Sequence, residues 1–264
     1  MKNSIEYNYE LKVDSIEIFG SGQTSEIFKI VSDSGTYVLK SQLNEQTASN
    51  EFYCLEALSK MNLSAVPLRT VNNKIFIKYN SIVYILMTYV NTQEALLSDM
   101  DCLALGKTIK SMHSALSNLK LIYIPDRFNE EKLIENIKSF RIKQLVEKVH
   151  SDNNNYISDC LTNIHGDLGV WNLLLDDKKI NIIDFGEAGY GDPFFDLAAV
   201  TESLNLKDNE IKNLLHGYGR NDYESMLHLS YMQKKWRLRG IIYLAANNLK
   251  TEAEIYDLIK LELT

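Results

Sequence analysis

Hydrophobic and polar positions follow two different periods along the chain. Up to about residue 90, apolar and polar residues alternate over short runs, a pattern typical of half-buried strands. It predicts strands at 16–19, 26–31, 36–40, 74–78 and 82–89. Residues 46–61 differ, because Ala48, Phe52, Leu55 and Leu58 recur at helical spacing and predict a helix there.

From Asp99 onward the apolar period is helical, with Leu105, Ile109, Met112 and Leu116 on one stripe. Further helices are predicted at 129–150, 155–161, 194–204, 207–215, 223–247 and 252–261. The expected fold class is therefore α+β. We expect a small antiparallel sheet lobe with one helix at 1–90, and a larger, mostly helical lobe at 91–264.

Composition narrows the function classes. The 264 residues include 45% hydrophobic and 24% charged residues, as in ordinary globular proteins. The net charge of −7, concentrated after residue 90, argues against nucleic acid as a partner. Three widely spaced cysteines without a CxxC pair indicate reduced thiols rather than zinc ligands or disulfides. The N-terminus resembles no signal peptide, and the most apolar run, 82–90, is about half a membrane span. We expect a cytoplasmic protein without a membrane partner.

The main chemical signal lies at residues 164–187. Two apolar runs, 173–175 and 180–183, flank a polar turn and predict a β-hairpin. Its pairing makes Asn172 and Asp184 neighbours, so their oxygens can converge on Mg²⁺, which takes few protein ligands. Asp167 precedes Asn172 by five residues. A carboxylate there can accept the proton of an attacking hydroxyl.

Each of these motifs is common alone, but their joint occurrence is specific. The quoted segments are His165-Gly-Asp167-x₄-Asn172, Ile183-Asp184-Phe185-Gly186 and Gly191-Asp192-Pro193-x₂-Asp196. Together they resemble the aminoglycoside phosphotransferase and choline-kinase-like family of small-molecule kinases. The resemblance implies a bilobal, protein-kinase-like fold with Mg²⁺ and ATP or GTP in the cleft.

The resemblance also implies residue roles. Asp167 would be the catalytic residue, and Asn172 and Asp184 the metal ligands. Lys40, which ends a predicted strand, would contact the α- and β-phosphates and would pair with Glu51 on the predicted helix. Glu45 and Glu56 are competing partners for this lysine.

Two further segments are expected to bind nucleotide. Gly20, Ser21 and Gly22 begin a turn whose backbone N–H groups would cover the phosphates. Met87 and Tyr89 lie where the resemblance places the purine-binding hinge, although a buried sheet strand explains them equally well. We expect His165 and Asp196 to shape the catalytic loop rather than to react.

The acceptor is expected to be a small molecule. Only six steps separate Gly186 from Asp192, too few for the activation segment of a protein kinase. Candidate acceptor-binding residues, chosen by location, are Glu187, Tyr190, Glu202, Asp222, Glu224, Tyr231, Trp236 and Arg239. The acidic helical lobe favours a cationic acceptor, with an aminoglycoside-type antibiotic first. Choline or another amino alcohol, homoserine, a macrolide sugar and a fructosamine stay open.

We therefore expect a kinase that phosphorylates a small alcohol. A catalytically silent nucleotide-binding protein is the alternative from another class, and a metal-dependent phosphohydrolase is a third. We expect a monomer, with a dimer left open. The choice between ATP and GTP, and between antibiotic resistance and metabolism, also stays open.

Overall fold

The computed structural model describes residues 1–21, 25–90, 93–94, 101–121, 130–152, 160–176 and 179–263. Six of its strands form an antiparallel sheet in the order β1-β2-β3-β6-β4, and β5 also pairs with β6. They are β1 (Val13–Ser21), β2 (Glu26–Ser32), β3 (Gly35–Gln42), β4 (Pro67–Leu68), β5 (Ile77–Tyr79) and β6 (Ile82–Thr88). Between β5 and β6, Asn80 and Ser81 both have positive φ, 48° and 67°. This is the geometry of the tight turn that suits the twist of a hairpin.

Two helices accompany this sheet, α1 (Lys2–Tyr9) and α2 (Glu45–Ser59). Helix α2 agrees with the sequence prediction and begins at a capping box formed by Asn44 and Thr47. Helix α1 was not predicted. It buries only Ile5 and Tyr9, so an eight-residue segment offers no repeating apolar stripe to detect.

Helices dominate the described residues after 100. They are α3 (Cys102–Leu116), α4 (Glu130–Glu135), α5 (Phe140–Asp152), α6 (Pro193–Ser203), α7 (Asp208–Tyr218), α8 (Tyr223–Ala246) and α9 (Glu252–Leu263). The single helix predicted at 129–150 is wrong, because the chain breaks between α4 and α5. Ser139 ends the break, accepting the backbone N–H of Ile142 on its Oγ and that of Lys143 on its carbonyl. The helix predicted at 155–161 falls mostly outside the described residues.

Short strands interrupt the helical part. They are β7 (Gln93–Glu94), β8 (Thr162–Ile164), β9 (Leu173–Asp176), β10 (Lys179–Ile182) and β11 (Gly189–Gly191). Strands β9 and β10 form the predicted antiparallel hairpin, with Leu173 opposite Ile182. Strand β8 pairs with β11. The confirmed fold class is thus a sheet-rich N-terminal part followed by a larger helical part.

One apolar core joins the two parts and positions the site. It contains buried side chains of α2, β6, α3, β10 and α6, such as Leu55, Ile85 and Ile182. Ile182 also exchanges hydrogen bonds with the segment after α2, donating to the Leu63 carbonyl and accepting from the Ser64 hydroxyl at 2.6 Å. The end of β10 is therefore fixed against the sheet side of the molecule.

A second apolar cluster, from α4, α5, α8 and α9, lies within the helical part and includes Val146, Ile242 and Ile259. Among the helices in the described ranges, none is both long and apolar enough to span a bilayer.

We predict that Gly106→Ala lowers the free energy of unfolding by about 2–3 kcal/mol, the usual cost of overpacking. A Cβ at Gly106 would lie 2.1 Å from the Leu214 carbonyl oxygen, where α3 and α7 cross. The matched control is Gly240→Ala inside α8, where a Cβ meets nothing within 4 Å. That change should stabilise the protein by about 0.5–1 kcal/mol. Urea unfolding measures both, and equal effects would contradict the close crossing.

Candidate active site

A buried ion pair lies at the centre of the site. Lys40, on β3, places its Nζ 2.8 and 2.9 Å from the two carboxylate oxygens of Glu51 on α2. The side chains are 7% and 1% exposed. Gln42 donates a further hydrogen bond to Glu51 at 2.8 Å. The competing candidates are engaged elsewhere, Glu45 with Lys78 and Glu56 with Arg69.

Asp184 is the second carboxylate on Lys40, with its Oδ1 2.7 Å from Nζ. Burial alone would lower the pKa of Lys40, but Glu51 and Asp184 together raise it, so the ammonium stays charged. Burial alone would raise the pKa of Asp184, but Lys40 more than offsets this and lowers it. Asp184 adopts φ of 63°, a conformation unusual for an aspartate, and 46% of its side chain faces solvent.

Asp196, at the start of α6, fixes the backbone of the loop at residues 165–169, which is the predicted catalytic loop. Its carboxylate is fully buried and accepts the N–H groups of His165 at 2.7 Å and Gly166 at 2.9 Å. His113 of α3 adds a third contact at 2.9 Å. Burial alone would raise the pKa of Asp196, but the hydrogen bond and charge of His113 help lower it.

His165 supports the loop from inside. Its Nε2 donates to the Ile183 carbonyl at 2.9 Å, and its Nδ1 accepts the N–H of Asp167 at 3.2 Å. This pattern requires the neutral ring with its proton on Nε2. The imidazole therefore links the catalytic loop to the strand end before Asp184; the sequence predicted only that His165 shapes this loop.

The Asp167 carboxylate projects from this loop. Burial raises the pKa of Asp167, which makes it a better proton acceptor than a solvated aspartate. Asn172 is 5% exposed, and its side-chain N–H group donates to the Asp167 carbonyl at 2.8 Å. Its backbone carbonyl accepts from Ile183 at 3.1 Å, so Asn172 and Asp184 lie on adjacent backbone segments as the hairpin required.

These residues suit a magnesium ion. Within the described part of the chain, no group of three or more histidine, cysteine or acidic side chains is arranged to hold a metal ion. Mg²⁺ instead prefers one or two protein oxygens and completes its shell with water and phosphate. Asn172 and Asp184 supply one amide oxygen and one carboxylate.

The predicted nucleotide segments are placed as follows. Gly20 and Ser21 end β1, opposite Ile27 and Glu26 of β2, and Gly22 lies outside the described residues. Met87 is buried between β3 and β4, opposite Val38 and Pro67. The Tyr89 N–H already donates to the Thr36 carbonyl at 3.0 Å, so it is not available to a purine in this conformation.

The structure separates the acceptor candidates. Glu187 lies beside the catalytic loop, since a Cβ on Gly166 would approach its carbonyl oxygen to 2.5 Å. Arg239 also reaches this loop, 3.4 Å from the Gly166 carbonyl.

Other candidates have structural partners. Glu202 pairs with Arg237 at 2.8 Å, and Asp222 caps α8. Tyr231 and Trp236 pack against the main core. Tyr190 and Glu224 are exposed, on β11 and in the first turn of α8.

Sequence reasoning missed three residues that complete the site. Gln42 reaches Glu51, while His113 connects Asp196 to the Tyr218 hydroxyl at 2.9 Å. Trp171 is 53% exposed beside Asp167. Gln42, two residues after Lys40 on the same face of β3, could have been found from strand alternation. The pairing of His113 with Asp196 spans 83 positions and leaves no local signal.

Comparison with known proteins identifies the family. The sequence model described as APH, phosphotransferase enzyme family, matches residues 15–229. The chain belongs to this family. The phosphotransferase is also 32% identical over 139 residues to a protein named LicA homolog from Metamycoplasma hominis. That alignment covers 51% of the chain and 55% of the relative, so the chain spans about half the length of the curated relative it matches.

Solved structures share the fold of this phosphotransferase. Amicoumacin kinase hAmiN, in complex with AMP-PNP, Ca²⁺ and Ami, superposes with a TM-score of 0.80 at 14% identity, covering 98% of this chain and 90% of that one. Choline kinase LicA from Streptococcus pneumoniae superposes with a TM-score of 0.68 at 15% identity, covering 99% of this chain and 95% of that one. Spectinomycin phosphotransferase superposes with a TM-score of 0.68 at 19% identity, covering 98% of this chain and 92% of that one. The kinase-like fold expected from the motifs is confirmed, and the family to which the chain belongs is one of phosphotransferase enzymes.

We predict that Asp196→Asn destabilises the phosphotransferase by about 3 kcal/mol at pH 7, because it removes a buried charge that holds two N–H groups and His113. The folded pKa of Asp196 is lowered, so its contribution is complete above the unfolded value of about 3.9 and is lost as pH falls below it.

Urea unfolding from pH 7 to pH 3 measures the difference in free energy of unfolding between the wild type and the Asp196→Asn variant. The control Asp222→Asn keeps a good helix cap and should change stability little. A difference that is small at pH 7, or that grows on acidification, would contradict the anchoring role of Asp196.

Proposed function

We propose that the phosphotransferase transfers the γ-phosphate of ATP or GTP, with Mg²⁺, to a hydroxyl of a small cationic alcohol. The observation that carries this proposal is the meeting of Lys40, Glu51 and Asp184 beside the loop of Asp167 and Asn172. A lysine, two metal-type oxygens and a carboxylate base are the parts that phosphoryl transfer requires. Residues 1–90 would form the nucleotide-binding lobe and 91–264 the acceptor lobe.

Each residue has a separate role in this proposal. Glu51 holds the Lys40 ammonium, which would bind phosphate oxygens after leaving Asp184. Asn172 and Asp184 would hold the metal ion, which when bound neutralises phosphate charge. Asp167 orients the acceptor hydroxyl and takes its proton. Gly20, Ser21 and Gly22 would cover the phosphates, while Met87 and Tyr89 stay predictions for the purine.

We propose an amino alcohol of the choline class as the first acceptor. The curated relative is named a LicA homolog, and LicA of Streptococcus pneumoniae is named a choline kinase. An acceptor with one ammonium group needs few free carboxylates. This fits a site where Glu202 pairs with Arg237 and Asp222 caps α8.

An antibiotic, which the sequence placed first, is the second acceptor class of this proposal. Kinases of amicoumacin and spectinomycin share the fold. An antibiotic-resistance role, a cytoplasmic location and a monomeric state stay predictions.

A silent nucleotide-binding protein is disfavoured because the base, both metal ligands and the lysine are all present. A phosphohydrolase would need more metal ligands than Asn172 and Asp184 supply.

A panel assay tests the proposed function. Choline, ethanolamine, homoserine, spectinomycin, kanamycin and a macrolide are assayed with Mg²⁺ and either ATP or GTP. We predict that Asp167→Asn lowers kcat on the accepted alcohol by about 10²–10⁴-fold, the usual contribution of a positioned base. Nucleotide affinity should stay within about twofold, because Asp167 faces the acceptor. The exposed Asp257→Asn is the matched control.

Two outcomes would contradict the proposal. One is turnover of the Asp167→Asn variant at the wild-type rate on its accepted alcohol. The other is release of phosphate to water with no transfer to any alcohol, which would favour a phosphohydrolase.

A second prediction concerns the metal. Asp184→Asn should weaken Mg²⁺–ATP binding at least about tenfold, or about 1.4 kcal/mol, because a charged ligand is lost. With EDTA present, ATP affinity should be unchanged or higher, since Lys40 loses a competing carboxylate. Calorimetry with and without metal measures both constants. Equal weakening in the two conditions would show that Asp184 acts without a metal ion.

A further inference from the structure

The indole ring of Trp171 lies beside the proposed base. Trp171 occupies the short 3₁₀ turn at Val170–Asn172, between Asp167 and Asn172 in sequence. Its Nε1 is 3.5 Å from Asp167 Oδ2, a long contact, and the residue is 53% exposed. A large aromatic ring left half in solvent contributes less to folding than a buried one. Its proximity to Asp167, rather than its exposure alone, sets it apart from the other exposed aromatic side chains.

Gly169 determines how the ring is held. A Cβ built on Gly169 would lie 2.2, 2.4 and 2.5 Å from three adjacent atoms of the six-membered ring. Nearly equal distances to adjacent ring atoms place Gly169 under the face of the indole rather than at its edge. The ring therefore rests flat on the loop. The exposed half of the residue is consistent with an opposite face that is open to solvent.

An acceptor held at Asp167 for transfer would lie next to this ring. Its hydroxyl has to reach the Asp167 carboxylate, within hydrogen-bond distance for proton transfer. In an amino alcohol the nitrogen is two carbons from that hydroxyl, which brings it within the roughly 6 Å range of cation–π attraction to the indole. Trp is the side chain that binds cations most strongly in this way.

Some of the surrounding charges would attract a cationic acceptor, and one would repel it. Asp167 and Asp184 supply negative charge close to one another at the loop. Arg239 would repel a cation, but its guanidinium lies 5.1 Å from the centre of the Phe195 ring and contacts the Gly166 carbonyl. A neutral aromatic face attracts an ammonium group without adding a carboxylate that would compete with Asp184 for metal.

We propose that the exposed face of Trp171 determines acceptor specificity by binding the ammonium group of an amino alcohol whose hydroxyl is held at Asp167. This inference rests on the proposed function and adds the residue that selects the acceptor. The ligand class is quaternary or primary ammonium alcohols. Trp171 is absent from the acceptor residues chosen by location, because it lies inside the catalytic motif itself.

Kinetics with a matched pair of alcohols test the proposal. Choline and its neutral carbon isostere, 3,3-dimethylbutan-1-ol, have nearly the same shape and differ in charge. For Trp171→Leu, kcat/KM for choline should fall about 10-fold, mainly through KM, while the value for the neutral alcohol changes little. Trp171→Phe, which keeps an aromatic face, should lose less. Tyr223→Leu removes a 76% exposed aromatic from the start of α8 and should change neither.

A binding measurement separates this inference from the proposed function. The chain contains two tryptophans, so Trp236→Phe leaves Trp171 as the only indole. Choline titrated in the presence of Mg²⁺–ADP should shift the Trp171 emission saturably, and the neutral alcohol should shift it far less. This readout does not require turnover.

The outcomes are distinct. If the wild type phosphorylates choline but Trp171→Leu loses the same factor with both alcohols, the Trp171 inference is overturned and the kinase function stands. If an antibiotic is phosphorylated and choline neither reacts nor shifts the emission, the inference is also overturned. If no alcohol is phosphorylated, the proposed function fails, and the emission titration alone decides whether Trp171 binds ammonium groups.

Discussion

The Lys40 ammonium is the interaction on which the site depends. It lies between Glu51 of α2 and Asp184 after β10, and it is almost fully buried. Removing one partner of such a buried group typically costs about 3–5 kcal/mol, so the three residues constrain one another. They also join the sheet to the helical part. Because Asp184 is half exposed and Glu51 is not, Glu51 can keep Lys40 in place while Asp184 changes partners.

A second buried carboxylate supports the opposite side of the site. Asp196 receives two backbone N–H groups of the catalytic loop and one histidine, while His165 connects that loop to the strand end before Asp184. The loop thus holds Asp167 through backbone contacts rather than through its own side chain. We propose that its carboxylate meets the acceptor hydroxyl. Trp171 lies beside this carboxylate, where the proposal places the ammonium group that distinguishes one acceptor from another.

Much of this arrangement was predictable from local patterns. The hairpin of β9 and β10 and the helix of Glu51 follow from apolar spacing, and the motif residues follow from the family resemblance. The break before α5 depends on a single cap at Ser139, and the spacing of apolar residues gives no sign of such a cap. The acceptor-binding residues were harder to predict. Glu202 and Asp222 are acidic, but Glu202 pairs with Arg237 and Asp222 caps the start of α8. The partner of Glu202 is 35 positions away in the sequence and leaves no local signal.

A crystal structure of the phosphotransferase with Mg²⁺ and a non-hydrolysable ATP analogue tests the central claim most directly. We expect Lys40 to keep Glu51 and to exchange Asp184 for a phosphate oxygen, while Asn172 and Asp184 bind the metal ion. A nucleotide bound elsewhere, with the 2.7 Å contact between Lys40 and Asp184 unchanged, would contradict the account.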